Sequence, residues 1–183
     1  MDIPIGLEEK KHIRECDIKA REFIGPRRHS IFAPPCKKAS LQNDYASANK
    51  LNKEITSYGL SKQTWMINEK LKETQKLIEK GYLLNEGHPE CSFRELKGDF
   101  LKFGKSGLLG FFERLNLVTK LGFDPISLKK QLSHDIKAKP DDLLDSLILC
   151  WSASRHIEKK GIYLGLNKKS KKLSDKNKSL ILV

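Results

Sequence analysis

The sequence has no apolar run approaching the ~20 residues that a membrane-crossing helix requires. Its longest, Leu143 to Trp151, is broken by Asp145 and Ser146, so no membrane partner is expected. No secretory leader is expected in the opening residues either, because Asp2, Glu8 and Glu9 surround the short stretch IPIGL where a leader needs a longer apolar region. Cysteine is scarce and scattered: Cys16, Cys36, Cys91 and Cys150 form no C-x-x-C pair and no Cys/His ladder. That excludes a zinc ribbon and gives no disulfide framework. The four read as free thiols of a cytoplasmic protein, with Cys16 and Cys150 at core-facing helix positions. Internal repeats are absent too, which excludes a solenoid.

What is present is enough chain for one domain with a true core, 183 residues, and a strongly basic balance. The net charge is +12, from 35 Lys and Arg against 23 Asp and Glu. From Arg155 onward nine bases face two acids, so +7 lies in that last stretch and 26 minus 21, or +5, in everything before it. A Lys-rich run such as NKKSKKLSDKNK can hold a polyanion by counterion release or can simply be a solvated surface segment.

Hydrophobic spacing predicts helices at 8–24 (Ile13, Cys16, Ala20, Phe23 and Ile24), stopped by Gly25-Pro26, at 45–58, and from an Ser61 N-cap to Gly81. Tyr82 to Gly87 reads as a strand, with Leu84, Glu86 and His88 on one face. A short helix over Ser92–Leu96, another carrying Phe111, Leu115 and Val118, and a long one with Pro140 at its first position follow. The chain closes on SLILV, a predicted strand. Alternation of strands and helices implies an α/β protein, with a sheet small for so many helices.

Carboxylates are informative where their surroundings are apolar or extended. Asp2 precedes IPIGL, Glu86 lies on the strand before His88-Pro89-Glu90, and Asp145 interrupts LLDSLILCW. Asp141 and Asp142 occupy the first turn of the same helix as Asp145, where acids complement the helix dipole. Acids at strand ends plus acids on a helix form the hard oxygen set that Mg²⁺ or Mn²⁺ prefers. Two such ions can activate water toward a phosphodiester. The competing reading is capping and surface salt bridges. For His88 a structural hydrogen bond, and for Glu90 a helix cap, are the plain readings.

The blocks DIPIGL, GPRRHSIFAPP, GLSKQT, EGHPECSF, GKSGLLGFFER and DDLLDSLILCW, in this order, resemble the domain-of-unknown-function 429 family from Asp2 to about Arg155. Members of that family are regarded as predicted nucleases with an RNase H-like fold. The resemblance implies a mixed RNase H-like sheet with helices over a single domain, 1–183, of which 165–183 is a basic tail and closing strand. It implies that Asp2 ends the fourth strand and Glu86 lies on the fifth. Asp142 and Asp145 match a D-x-x-D element on the closing helix, and Asp2, Glu86, Asp142 and Asp145 become the Mg²⁺ or Mn²⁺ ligands. Arg27, Arg28 and Ser30 match an R-R-x-S loop for substrate phosphates, Lys105 adds a positive charge, and Gln63 lies in an L-S-x-Q turn.

Three positions depart from the family pattern. Ser146 stands where Ala is usual, Thr74 where an Asp is usual, and Gly87 where the strand has a β-branched residue, which is expected to soften it. The G-x-D-G-like block of the first strand, whose aspartate bridges the metals, has no match. The expectation is therefore a domain lacking its first three strands, with an open strand edge that favours self-association. Three functions follow as alternatives: a metal-dependent nuclease, a nucleic-acid-binding or remnant protein without catalysis, and a piece of a longer reading frame.

Overall fold

Capping residues set several of the helix ends. In the computed structural model, which describes residues 1–124, 126–127, 130, 138–165 and 180–183, α1 runs Glu15–Ile24 and a 3-10 helix follows over Gly25–Ser30. Next come α2, Lys37–Ser40, and α3, Tyr45–Thr56, whose N-cap Asp44 accepts the Ser47 N–H. Ser61 likewise caps α4, Lys62–Met66, by accepting from Thr64, and α5 is Asn68–Glu79. The strand β1, Glu86–Gly87, leads directly into α6, Pro89–Lys97, and α7 is Leu108–Lys120. The long helix α8, Pro140–Ile157, starts with Pro at its first turn as its sequence predicts, and β2, Tyr163–Leu164, and β3, Ile181–Leu182, complete the order.

The protein is α/β with a small mixed sheet in the order β1-β3-β2. The central β3 is parallel to β1, Glu86 opposite Ile181 and Gly87 opposite Leu182, and antiparallel to β2. Met1 continues this pattern outside β1. Its ammonium donates to the Asn85 carbonyl at 2.8 Å and its own carbonyl accepts from the Gly87 N–H at 2.9 Å, the bonding of a parallel pair. Asp2 therefore emerges beside the end of β1.

Two apolar clusters form the core, the first joining helix α1 to the sheet and the second packing helices together. In one, Cys16, Ala20 and Ile24 of α1 meet Ile31, Cys91, Ile181 and Val183. In the other, Phe93 of α6 and Val118 of α7 meet Leu144, Leu147 and Ile148 of α8. Helix α6 contacts both α1 and α8, so it ties the two clusters together. No helix among the described residues is long and apolar enough to cross a membrane.

Several predicted elements differ in extent. The first helix begins at Glu15 rather than at residue 8, because Arg14 adopts extended backbone as its N-cap. The helix predicted from Ser61 to Gly81 is divided at Ile67 into α4 and α5. Only Glu86–Gly87 of the predicted strand 82–87 is in the sheet, and Leu83 is 89% exposed, so there is no apolar face to bury at that end. Helix α6 extends past both ends of Ser92–Leu96, and β2 had no counterpart in the sequence reading. Cys16 is buried, whereas Cys150 is exposed, on the side of α8 away from its buried face. The Lys-rich run 167–178 lies outside the described residues.

Leu144 is 1% exposed at the junction of α6, α7 and α8. Leu144→Ala is expected to lower the unfolding free energy by about 2–5 kcal/mol, read as a shifted urea midpoint with an unchanged slope.

Candidate active site

The residue on which the site is built is one that composition assigns to the surface. Arg14 is 1% exposed, and its guanidinium is shared between two carboxylates. Toward α1, Nε and Nη2 donate to Asp17 Oδ2 and Oδ1 at 2.8 and 2.6 Å. Toward β1, Nη1 and Nη2 donate to Glu86 Oε2 and Oε1, both at 2.7 Å. The same Nη1 also reaches the Ile5 carbonyl at 2.8 Å, and the Ile5 N–H donates to Glu86 Oε2 at 2.6 Å. One buried cation thus fastens the segment after Asp2, helix α1 and strand β1 to one another.

Burial opposes the Arg14 charge, but Glu86 and Asp17 outweigh it and raise its pKa, so the guanidinium stays charged. For Glu86, burial is the largest influence and raises the carboxyl pKa against the pull of Arg14 and the Ile5 N–H, with Asp17 pushing the same way as burial. The two directions agree physically, because two carboxylates share one guanidinium and the surplus negative charge falls on the pair.

A cavity of about 310 Å³ opens beside this cluster. It is bordered by Asp2 from the N-terminal segment, Ser30 from the 3-10 helix, Glu86, His88 and Glu90 around β1 and α6, Lys105 from the loop before α7, and Asp145 from α8. Each element has a reason for its place. Pro89 starts α6 immediately after β1, which puts Glu90 in its first turn. Asp145 lies one turn inside α8, on the flank that faces Lys105.

The Lys105 loop is held by α7 from within. Glu113 accepts the N–H groups of Lys102 and Phe103 and the Lys97 ammonium, the last at 2.8 Å. Gly110 allows the loop to lie directly on the helix, since a Cβ there would come within 1.9 Å of the Gly104 carbonyl oxygen. Lys105 Nζ consequently sits 3.0 Å from Asp145 Oδ2 and 4.0 Å from Asp141 Oδ2.

The acids of the cavity have unequal surroundings. Glu86 is fully engaged by Arg14 and Ile5. Glu90 is buried, with Oε1 accepting from Arg114 Nη2 at 2.5 Å. Its Oε2 makes no hydrogen bond among the described residues and lies 4.0 Å from Arg27 Nε, which is also without one. The Asp145 carboxyl is raised above its ordinary value, chiefly by burial; Lys105 pulls it down while Asp2 and Glu90 push it up. Asp145 therefore feels the charges of both Asp2 and Glu90 across the cavity.

Of the residues predicted for the site, Asp2, Ser30, Glu86, Lys105 and Asp145 border this cavity. Asp142 does not: its side chain accepts the Lys139 N–H at 3.1 Å, at the start of α8. Arg27 lies behind Glu90, Arg28 borders a neighbouring cavity, and Gln63 is exposed beside Thr64. Among the described residues no group of three or more His, Cys, Asp and Glu is placed to hold a metal ion. Sequence reading missed Arg14, and it treated Glu90 as a helix cap although its charge is met by Arg114. The i,i+3 pair Arg14 and Asp17 was the one available signal, and on most helices such a pair is exposed.

The family model described as "Protein of unknown function (DUF429)" matches residues 1–167. The chain belongs to this family. Comparison with the curated proteins and with the solved structures returned no match. The DUF429 match includes every residue of the cavity and both buried arginines.

Arg14→Met removes the cation and leaves Glu86 and Asp17 buried without a partner, for an expected loss of about 3–5 kcal/mol of stability, measurable by urea unfolding. A second expectation concerns pH. A carboxyl whose folded pKa is raised is favourable to folding while protonated, and that contribution is lost as pH rises through the folded value. Asp145→Asn is therefore expected to be more stable than wild type near neutral pH, with the difference disappearing below about pH 3, where free carboxyls are protonated; urea midpoints over a pH series measure it.

Proposed function

We propose that this cavity is a metal-assisted phosphoester-hydrolysis site of the nuclease type, with Asp2 and Asp145 as the protein carboxylates for Mg²⁺ or Mn²⁺. The observation that carries the reading is the meeting of Asp2, Glu90 and Asp145, from three distant parts of the chain, around one cavity with Lys105 between them and Asp141. Mg²⁺ commonly takes only one or two protein carboxylates, with waters and substrate phosphate completing its shell. Two aspartates in a cavity that Glu90 also borders suit that pattern, while a closed protein cage has no support among the described residues.

In this reading Glu86 and Asp142 are structural, the first holding Arg14 and the second capping α8. A bound divalent ion would supply positive charge to the phosphoryl oxygens. The chain's own groups do the rest. Lys105 is 46% exposed on its loop and serves as a movable point charge, neutralising Asp145 until a substrate phosphate competes for it. Ser30, from the 3-10 helix, borders the cavity where a phosphate would be held, while Arg27 adds positive charge 4.0 Å from Glu90. Glu90 holds Arg114 through a hydrogen bond and adds negative charge beside the cavity.

One observation favours the alternative, nucleic-acid binding without chemistry. The Lys105 ammonium already occupies the position next to Asp145 that a metal ion would take. Calorimetric titration with Mn²⁺ separates the two. The hydrolytic reading expects binding that weakens at least about tenfold in Asp2→Asn and Asp145→Asn, the size of effect that even outer-shell groups show at metal sites. It also expects no change in Asp142→Asn, and cleavage of nucleic acid that EDTA stops. A wild-type protein that takes up no Mn²⁺, and whose nucleic-acid affinity falls steeply with salt but ignores EDTA and Asp145→Asn, overturns it in favour of binding alone.

A further inference from the structure

A second cavity, about 370 Å³, adjoins the first and has the opposite electrostatic character. His12, Arg21, Arg28 and His29 border it, and no carboxylate does among the described residues. The two arginines come from α1 and the 3-10 helix, so their approach is fixed by the turn at Gly25. Arg21 donates Nε and Nη2 to the Ile31 carbonyl at 3.2 and 2.8 Å. That anchors the guanidinium in place while its Nη1 makes no hydrogen bond among the described residues. Arg28 is exposed and takes part in no ion pair among those residues. The positive field is not compensated locally: His12, stacked on Tyr58 with ring centroids 4.1 Å apart, has its pKa lowered by burial and by Arg21.

Two arginines directed to one cavity without an acid between them are the donor arrangement that suits a phosphoryl group. We infer that this second cavity is a phosphate-binding subsite, with Arg21 and Arg28 as the donors and His12 and His29 at its edges. Its position gives the subsite a purpose. Ile31, Phe32 and Thr64 border both cavities, so a phosphate held by Arg28 is separated from the acidic cavity by the width of one wall. Phe32, 46% exposed on that wall, offers an aromatic surface between them. A ligand with more than one phosphate could place one in each cavity. The subsite itself binds without metal and does not rest on the hydrolytic reading.

The test uses the full chain in EDTA, so that a failure of metal chemistry does not affect it. Inorganic phosphate, followed by NMR of the His12 and His29 imidazoles, should give saturable shifts. Arg28→Gln should weaken that binding about tenfold, as for one lost charge-assisted hydrogen bond. Asp145→Asn should leave it in place. Arg21→Lys is the second variant, because it keeps the charge but cannot hold the Ile31 carbonyl and present a free nitrogen at once; it should weaken phosphate binding too. A short single-stranded oligonucleotide that displaces phosphate, and whose salt dependence falls by about one ionic contact in Arg28→Gln, assigns the subsite to a nucleic-acid backbone. Saturable phosphate binding that the oligonucleotide does not displace assigns it to a free phosphomonoester. Shifts that never saturate, or that are the same in Arg28→Gln, overturn the inference.

Discussion

A single buried cation decides how the N-terminal half of this protein is assembled. An arginine taken out of water costs several kcal/mol unless its charge is met, and Arg14 is met on two sides, by Asp17 within its own helix and by Glu86 across the fold. Because the guanidinium is planar and its donors are fixed, the two carboxylates cannot shift relative to one another without breaking a bond. The Ile5 carbonyl and N–H enter the same cluster. The segment that carries Asp2 is thereby fastened at Ile5, and at Met1 by bonds to Asn85 and Gly87. Asp2 hangs between those two attachments, at the mouth of the acidic cavity.

A second buried pair, Arg114 with Glu90, plays the corresponding part for the other half. Arg114 is 1% exposed within α7, and it also donates to the Gly110 carbonyl at 2.9 Å, so it joins the start of α6 to the turn of helix that supports the Lys105 loop. The cavity thus lies between two buried arginine–carboxylate clusters, each with a carboxylate group close to it. That arrangement keeps the protein's own charges nearly balanced where they are deepest. It leaves Asp2 and Asp145, the second paired with the half-exposed Lys105, to border the cavity.

The sequence made the helices legible and the electrostatics largely not. Ser61 and Pro140 announced their helix starts because a cap and a ring-locked φ act locally. The family blocks brought Asp2, Glu86, Lys105 and Asp145 to attention, and all four border one cavity. What periodicity could not convey was which charged residues are buried. Arg14 lies beside Ile13 in a pattern that reads as the polar flank of a helix, and only the arrival of Glu86, 72 residues later, makes it part of the interior. Strand lengths failed for a related reason: the ladder between β1 and β3 is two residues long, too short for an alternation to be recognised. Cys150 was misplaced because, two residues past Ile148, it lies more than half a turn around α8, away from the face on which Leu144, Leu147, Ile148 and Ser152 are buried.

Gly87 shows how a glycine in a strand can carry structure. On sequence grounds it weakens the strand. In the fold, a Cβ at this position would lie 2.8 Å from the Leu149 methyl, so the glycine makes room for a side chain of α8 against β1. Leu149 is four residues after Asp145, and residues at that spacing share a helix face. The contact that brings Leu149 onto Gly87 is therefore the one that brings Asp145 to the cavity beside Glu86. A branched residue here would meet the tip of the Leu149 side chain, which would have to change rotamer to make room. The glycine on the strand and the acid on the helix are thus linked through one side chain, Leu149, which packs on Gly87 from the helix that carries Asp145.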